Sequence, residues 1–348
     1  MDLNIPDHYT KDYKISKEIV LEELYDDATQ LMEEQKFEQA EATFKEINAL
    51  DPNYRDTHQL SDVAYSEPLY IQGKVALDNG AYRMAYDYFE QILKRTQNYK
   101  DTRTLQQESL DKGRVTVAMV PFENVTREEN IEKKVSAYLL DDLSKIPDPF
   151  LRFVDRSDMD QILEEQKLSV SGIIDDETAT EVGELVGAQA IITGKVLDYK
   201  KSASRLQSET KKGYEGYQVK RRSPETGAIY YETRYKPVRY KEYRAGTSVT
   251  LTFQYKLLSL QTGEIMVSRI VEREAQDGIN YADFDGNASM LFPASGDSRN
   301  ASSSAKRHLD DMLRSRRSLK STTELTSALL NNISSDVAHE IGDYMSQQ

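Results

Sequence analysis

The chain has 348 residues and a formal net charge of -14, with 38% hydrophobic and 30% charged residues. This composition is typical of a globular protein of two or three domains, each able to bury a core. No apolar run approaches the roughly 20 residues that a membrane helix needs. The lack of cysteine excludes disulfides, thiolate zinc sites and a cysteine nucleophile. Met1 is followed directly by the polar residues Asp2, Asn4 and Asp7 and there is no signal peptide, so we expect a cytoplasmic protein or one whose leader is not part of this sequence.

The N-terminal region contains an internal repeat, with copies over about residues 24–66 and 69–112. A shift of 45 residues superimposes ten identical pairs, which are Leu24/Leu69, Tyr25/Tyr70, Ala40/Ala85, Phe44/Phe89, Ile47/Ile92, Asn53/Asn98, Tyr54/Tyr99, Asp56/Asp101, Thr57/Thr102 and Leu60/Leu105. Apolar residues recur at helical spacing within each copy, which predicts an amphipathic helix pair. We expect the Tyr-Arg-Asp-Thr and Tyr-Lys-Asp-Thr segments to begin a third short helix in each copy.

The repeat resembles the tetratricopeptide repeat. Ala40 and Phe44 match the small residue and the aromatic residue of its second helix, and Pro52 stands where that helix ends. The period is longer than the usual length of about 34 residues. Such repeats imply a surface for a protein partner or for self-association, with a rigid spacer as the alternative. Exposed tyrosine is favoured at interfaces; the candidate contact residues are Tyr65, Tyr70, Tyr82, Tyr86 and Tyr88.

Beyond residue 113 the periodicity changes to alternating strands and helices. Strands are predicted at residues 115–122, 151–154, 190–197, 247–259 and 264–273, and helices at residues 130–145, from Ser157 and from Asp175. The last two strands join through a Gln-Thr-Gly turn as a hairpin. The expected fold is α+β, with a helical repeat domain over residues 1–113 followed by an α/β domain with a mixed sheet over residues 114–348.

A long helix is predicted at the C-terminus, over residues 321–346. Ser321 and Glu324 form a capping box at its start. Its apolar residues recur every four positions, at Leu325, Leu329, Ile333, Val337, Ile341 and Met345. So regular a stripe is typical of a helix that packs on a sheet, and contact with a partner helix is the alternative.

Four segments in order resemble the CsgG family of curli-secretion proteins. They are residues 117–124 (VAMVPFEN), 153–166 (FVDRSDMDQILEEQ), 187–194 (GAQAIITG) and 262–265 (TGEI). The resemblance implies an outer-membrane lipoprotein facing the periplasm, often assembled as a ring, that exports or anchors surface fibres or adhesins. It also implies that the loop at Phe122 and Asn124 corresponds to the constriction of the secretion channel. From the residues themselves, we expect an ordinary strand-to-helix turn there.

Residues 200–247 form a basic insertion that holds 13 Lys or Arg against five acidic residues. Such a segment is typical of a lipid-headgroup or nucleic-acid surface, or simply of a solvated hairpin. The acidic remainder of the chain argues against nucleic acid. The candidate basic surface consists of Lys220, Arg221, Arg222, Arg234 and Lys236.

In the ring-forming channel, two hairpins of each subunit cross the membrane, and their counterparts here would be residues 200–246 and 274–300. The first alternates in polarity, but its apolar face is mostly tyrosine, Pro237 interrupts it, and Tyr217 and Val219 are its only plausible strand partners. We therefore expect a soluble hairpin. The second segment lacks alternation, which predicts a loop or a docking segment.

Nothing in the sequence predicts catalysis. The four histidines stand at no metal-ligand spacing, and there is no phosphate-binding glycine loop or nucleophile elbow. Residues 283–287 favour a turn over a calcium loop. We expect no enzyme activity and no cofactor. The leading hypothesis is a cell-envelope assembly or secretion component with a lipid anchor and a homo-oligomeric state, of which a ring is one form. The alternatives are a soluble periplasmic adaptor, such as an activator of cell-wall synthases, and a binder of anionic polymers through the basic insertion.

Overall fold

The computed structural model describes residues 7–156 and 187–346. The helices predicted from Ser157 and from Asp175 lie outside the described residues, as does most of the motif at residues 153–166. The position of Arg156 after a predicted strand also suggests an ion pair with Asp155 or Glu165, and Glu165 lies outside the described residues. The chain divides into two compact units, Met1–Val115 with Asp148–Arg152, and Thr116–Pro147 with Phe153–Gln348.

The first unit is built from helices that pack in sequence order. They are α1 (Asp7–Glu33), α2 (Phe37–Leu50), α3 (Thr57–Asp78), α4 (Tyr82–Arg95) and α5 (Thr102–Gly113). Two small cores hold the unit together, and residues 45 apart occupy equivalent places in them. The fully buried equivalents are Ala40 and Ala85, Phe44 and Phe89, and Ile47 and Ile92.

The turns repeat with the same period. Gln35 and Gly80 both have a left-handed backbone, with φ of 59° and 77°, and Arg55 and Lys100 do so with φ of 45° and 44°. The hydroxyl of Tyr25 donates to Asp56 at 2.8 Å, and the hydroxyl of Tyr70 donates to Asp101 at 2.5 Å. The sequence repeat is therefore a repeat of backbone geometry and of hydrogen bonds as well.

The prediction of a third short helix is wrong for the first copy. Helix α3 begins at Thr57, as expected, but runs for 22 residues through Pro68 into the second copy. A proline inside a helix removes one backbone hydrogen bond. Here the helix continues because both of its halves pack against neighbours, and tertiary packing supplies most of the stability of helices in proteins. Only α5 is a separate short third helix.

Arg95 joins the two copies. Its guanidinium donates to Asp62 at 2.8 Å and to the hydroxyl of Ser61 at 2.9 Å, and it forms an ion pair with Glu41 of α2. It also lies 4.4 Å from the centre of the Tyr65 ring. The side chain is only 24% exposed, so these contacts are poorly screened by water.

We predict that Arg95→Met lowers the free energy of unfolding by about 1–3 kcal/mol, because Asp62 and Glu41 lose the Arg95 donor and Glu41 keeps only its ion pair with Lys45. Urea denaturation followed by circular dichroism measures the change. Arg103→Met, at an exposed position on α5, is the control and should change the midpoint little. Equal effects of the two substitutions would contradict a linking role for Arg95.

The second unit contains a mixed sheet. Its elements are β1 (Val115–Met119), β2 (Glu123–Asn124), α6 (Ile131–Leu143), β3 (Leu151–Asp155), β4 (Ala190–Ala203), β5 (Gln207–Arg222), β6 (Ile229–Ser259), β7 (Ile265–Asp283), β8 (Leu291–Ser295), β9 (Ser298–Arg299), α7 (Ser303–Arg314) and α8 (Thr322–Ser346). The strand order is β3-β1-β4-β6-β5-β8-β9, with β2 beside β4 and β7 on β6. The pairs β1–β4 and β2–β4 are parallel, and the strands around β6 are antiparallel.

Helix α8 covers one face of the sheet. All six residues of its predicted stripe are buried, and the helix packs on α6, β6 and β7. On β6 the buried side chains alternate from Thr247 to Leu257, as expected for a strand with one covered face. The capping box is present, since Glu324 accepts from the Ser321 amide at 2.7 Å and the Ser321 hydroxyl accepts from the Glu324 amide at 3.1 Å. The prediction of packing on the sheet is confirmed.

Gly194 of β4 lies where two aromatic rings leave no room for a side chain. A Cβ atom there would lie 2.6 Å from Phe253 and 2.7 Å from Phe122. The two rings are themselves in contact, with their centres 5.3 Å apart. The sequence allows either a turn or close packing as the role of Gly187 and of Gly194. Close packing is the reason for glycine at position 194, whereas Gly187 has a φ of 59° and serves a turn.

We predict that Gly194→Ala lowers the free energy of unfolding by about 1–3 kcal/mol, because the new methyl group displaces the Phe122 and Phe253 rings. Thermal denaturation measures the loss. The matched control is Gly246→Ala on β6, where the nearest atom to a Cβ would be a backbone oxygen at 3.6 Å. A Tm for the Gly194 variant equal to that of the control would refute the packing argument.

Candidate functional site

The basic insertion is part of one long β-hairpin. Strands β4 and β5 follow each other along the same edge of β6, and the turn at residues 223–228 connects β5 to β6. The turn is ordered by its own backbone, since the Ser223 amide donates to Ala228 and the Gly227 amide donates to Ser223. With 31 residues, β6 is about 100 Å long at roughly 3.3 Å per residue.

The hairpin corrects several expectations. The strand predicted over residues 247–259 starts at Ile229, and residues 207–222, not Tyr217 and Val219 alone, are the strand partners. Pro237 does not interrupt the strand. At this position β6 pairs with β5 only, because β7 ends opposite Lys241, and a strand tolerates proline where one of its edges is unpaired.

The second segment, residues 274–300, is also more regular than expected. Strand β7 continues to Asp283, and a short 3-10 turn then leads to β8, which pairs with β5 at Gly213–Glu215. The expectation of a loop is wrong for most of this segment. Burial in fact alternates along β7 from Glu274 to Tyr281, and the polar Asp277 on the covered side interrupts the matching pattern in the sequence.

Helix α7 closes a small core at the middle of the hairpin. Tyr240 and Ala282 from the strands and Leu291 from β8 are buried under Leu309 and Met312 of this helix. One face of the hairpin is therefore covered by protein along this stretch.

The basic stretch after α7 is tied to β7. Arg316 forms a bidentate ion pair with Asp277 and donates to the carbonyl of Gly278 at 2.9 Å. Asp277 also accepts from the backbone amide of Lys320 at 2.8 Å. Arg317 reaches Asp283 at 3.1 Å. The hydrogen bonds from Arg316 and from the amide lower the pKa of Asp277 from its usual 3.8 to about 2.

We predict that Asp277→Asn lowers the Tm at neutral pH, and that the gap to the unmodified protein closes in acid. Because the pKa of Asp277 is lower in the folded protein, its stabilising contribution is complete above about pH 4 and is lost as the pH falls through about 2. Thermal unfolding between pH 7 and pH 2 measures the gap. Asp285→Asn, at an exposed position, is the control. A gap that stays constant over this range would refute the linkage.

The five residues of the predicted basic surface lie near the tip of the hairpin but on two faces. The strand register places Lys220 and Arg222 on one face and Arg221, Arg234 and Lys236 on the other. The second group is neutralised in part. Glu232 pairs with Arg221 at 3.1 Å and with Arg234 at 3.4 Å, and Lys236 pairs with Glu215 at 2.9 Å.

Exposed apolar groups accompany these charges. Tyr217, Ile229, Tyr230 and Tyr231 are all exposed at the tip, and Tyr231 is 62% exposed. Lys220 has no ion-pair partner among the described residues. The guanidinium of Arg222 donates to the carbonyl of Gly227 at 3.1 Å. The face of Lys220 and Arg222 thus combines two cations with the exposed Ile229 and Tyr231. Binding of an anionic surface or polymer there stays a prediction.

The loop predicted as a constriction candidate is packed into its own unit. Phe122 is buried against Phe253. The amide group of Asn124 donates to the carbonyl of Glu128 at 2.7 Å and to Glu132 at 2.8 Å, and its oxygen accepts from the Thr126 amide at 2.9 Å. These contacts fit the expected strand-to-helix turn, with both side chains engaged inside the unit.

The five tyrosines predicted as partner contacts are half-buried, and each contacts its own unit. Tyr70 lies edge-on to Phe89 and Tyr99, and its hydrogen bond to Asp101 raises its pKa to about 12. Tyr65 faces Arg95, and Tyr86 packs on Phe150. Tyr82 and Tyr88 pack against the second core. Packing within the unit thus accounts in part for these tyrosines, and partner binding through them stays a prediction.

Residues 95–286, more than half of the chain, match the family described as curli production assembly/transport component CsgG. The chain belongs to the CsgG family. The match runs from the end of the first unit through β1–β7, including the whole long hairpin. No curated protein matches the chain in sequence.

Three solved structures match parts of this chain at low similarity. The hypothetical protein CT253 from Chlamydia trachomatis is 12% identical and covers 68% of this chain and 100% of its own, with a TM-score of 0.31. The PelC dodecamer from Paraburkholderia phytofirmans is 12% identical over 46% of this chain and 71% of its own, with a TM-score of 0.22. Lipoprotein GNA1162 from Neisseria meningitidis is 13% identical over 47% and 83%, with a TM-score of 0.25. Scores this low say nothing about function.

The described residues, 7–156 and 187–346, contain neither a membrane-spanning helix nor a metal-binding cluster. No helix there is both long and apolar enough to cross a membrane. No cluster of three or more His, Asp or Glu in that part of the chain is arranged to hold a metal ion.

Proposed function

We propose that this chain is a non-catalytic component of a cell-envelope assembly or secretion system of the CsgG type. It would lie at the periplasmic face of the outer membrane, held by a lipid anchor, and act through contacts between proteins as a homo-oligomer. The observation that carries the proposal is the family match over residues 95–286, which covers the strands that organise the sheet of the second unit.

The outer edge of β7 supports association between copies. This strand of 19 residues pairs with β6 on one side and, within the described part of the chain, with no strand on the other. Apart from the carbonyl of Gly278, which accepts from Arg316, this edge presents backbone donors and acceptors that a strand of another chain can use. Ile265 and Ile270 on β7 are 56% and 61% exposed, so apolar surface is available beside that edge.

We predict that the full-length protein, expressed with its native leader, fractionates with the outer membrane and has the native mass of a ring-sized oligomer in detergent. Native mass spectrometry measures the subunit number. Ile270→Lys should reduce the mass, because a charge at the open edge opposes association. Val125→Lys, also at an exposed apolar position, is the control. A monomer in detergent without a lipid anchor would refute the proposal.

A soluble periplasmic adaptor, for example an activator of cell-wall synthases, is the second candidate. The observation in its favour is the helix α7 that covers one face of the hairpin and buries Tyr240 and Leu291. This function requires a monomer or dimer that co-purifies with a synthase. Loss of surface fibres on deletion of the gene would argue against it and for the first proposal.

A further inference from the structure

The 45-residue period extends into α1. A shift by one period places Thr57–Asp78, the whole of α3, on residues 12–33, which are most of α1. The same shift places α5 on the first half of α3. Residues 12–23, 57–68 and 102–113 are thus three helical segments at one period. The equivalent positions on their inner face are Ile15, Leu60 and Leu105, and then Ile19, Ala64 and Ser109.

In two of these segments the inner face is covered by a neighbouring helix. Ala64 is 1% exposed, and it packs with Leu60 in the core that contains Phe44 and Ile47 of α2. Ser109 is fully buried, and Leu105 packs in the core that contains Phe89 and Ile92 of α4. The covering helices α2 and α4 share one pattern, an alanine, a phenylalanine four residues later and an isoleucine three residues after that.

In α1 the same face is open. Ile15 is 51%, Ile19 is 53% and Val20 is 45% exposed. Ile15 and Ile19 are neighbours on one side of the helix, because residues four apart lie close together on a helical surface, and Val20 lies at the margin of that side. A group of exposed apolar side chains on a helix is typical of an interaction surface. Leu24 and Ala28, nine residues after Ile15 and Ile19, lie on the opposite side of the helix and pack in the core with α2.

We propose that the face of α1 formed by Ile15, Ile19 and Val20 is the docking site for an amphipathic helix of another protein that carries the apolar pattern of α2 and α4. The chain itself seats this helix type twice on equivalent faces. A second copy of the chain fits less well as the occupant, because Phe44 and Phe89 are fully buried within their own repeats and would have to be pulled out. This face lies outside residues 95–286, so it does not depend on the envelope role.

The test uses the full chain and a labelled, side-chain-stapled peptide with the sequence of α2, Phe37–Leu50. Stapling is needed because a free peptide of this length is barely helical in water. Fluorescence anisotropy should show saturable binding. The variants Ile15→Glu and Ile19→Glu should each weaken it on the order of tenfold or more, as burial of an isoleucine side chain predicts. Val75→Glu on α3, 54% exposed outside this face, is the control and should bind as the unmodified chain does.

Two outcomes would overturn the proposal. One is no saturable binding, or equal binding by the unmodified chain and the glutamate variants. The other is self-association of the chain in sedimentation without peptide, lost in Ile15→Glu, which would assign the face to a second copy. If the glutamate variants lose helicity, Ile15→Ala and Ile19→Ala decide the question, with a several-fold loss of peptide binding expected at unchanged circular dichroism.

Discussion

The pairing of β6 along its whole length is the constraint on which the second unit depends. This strand carries β4 and then β5 on one edge and β7 on the other. Side chains alternate between the faces of a strand, so a single register assigns all 31 residues to their faces. It places the residues from Thr247 to Leu257 that are buried beneath α8, and it separates the charged side chains near the tip. Three features hold the middle of the hairpin to the rest of the unit, namely α7, β8 and the Arg316–Asp277 ion pair.

In the first unit, each helix is stabilised by its neighbours along the chain. The two cores around Phe44 and Phe89 are small, and Arg95 provides polar contacts between the copies. In such an array the helix at an end keeps a face with no neighbour. Ile15 and Ile19 expose that face, whereas their equivalents Leu60 and Ala64 are at least partly covered.

Features that depend on local sequence were predictable. The repeat period, the capping box at Ser321 and the stripe of α8 all agree with the structure. The candidate site was harder to predict from the sequence. The basic residues were found, but their division between two faces needed the register of β5 against β6. The open face of α1 was missed, although the period of 45 residues, extended to residues 12–33, carried the signal. Asp277 was missed because its partner Arg316 is 39 residues away in sequence.

The sequence by itself determined where helices begin, which residues repeat and which family the central region resembles, since these properties depend on short-range periodicity, caps and motifs. Only the tertiary structure decided how far the strands extend and which tyrosines are covered. A strand continues where another strand supplies hydrogen bonds to its edge, so β6 passes Pro237 on the support of β5. In the same way Tyr70 and Tyr86 resemble interface residues in the sequence, while Phe89 and Phe150 provide the rings that bury them.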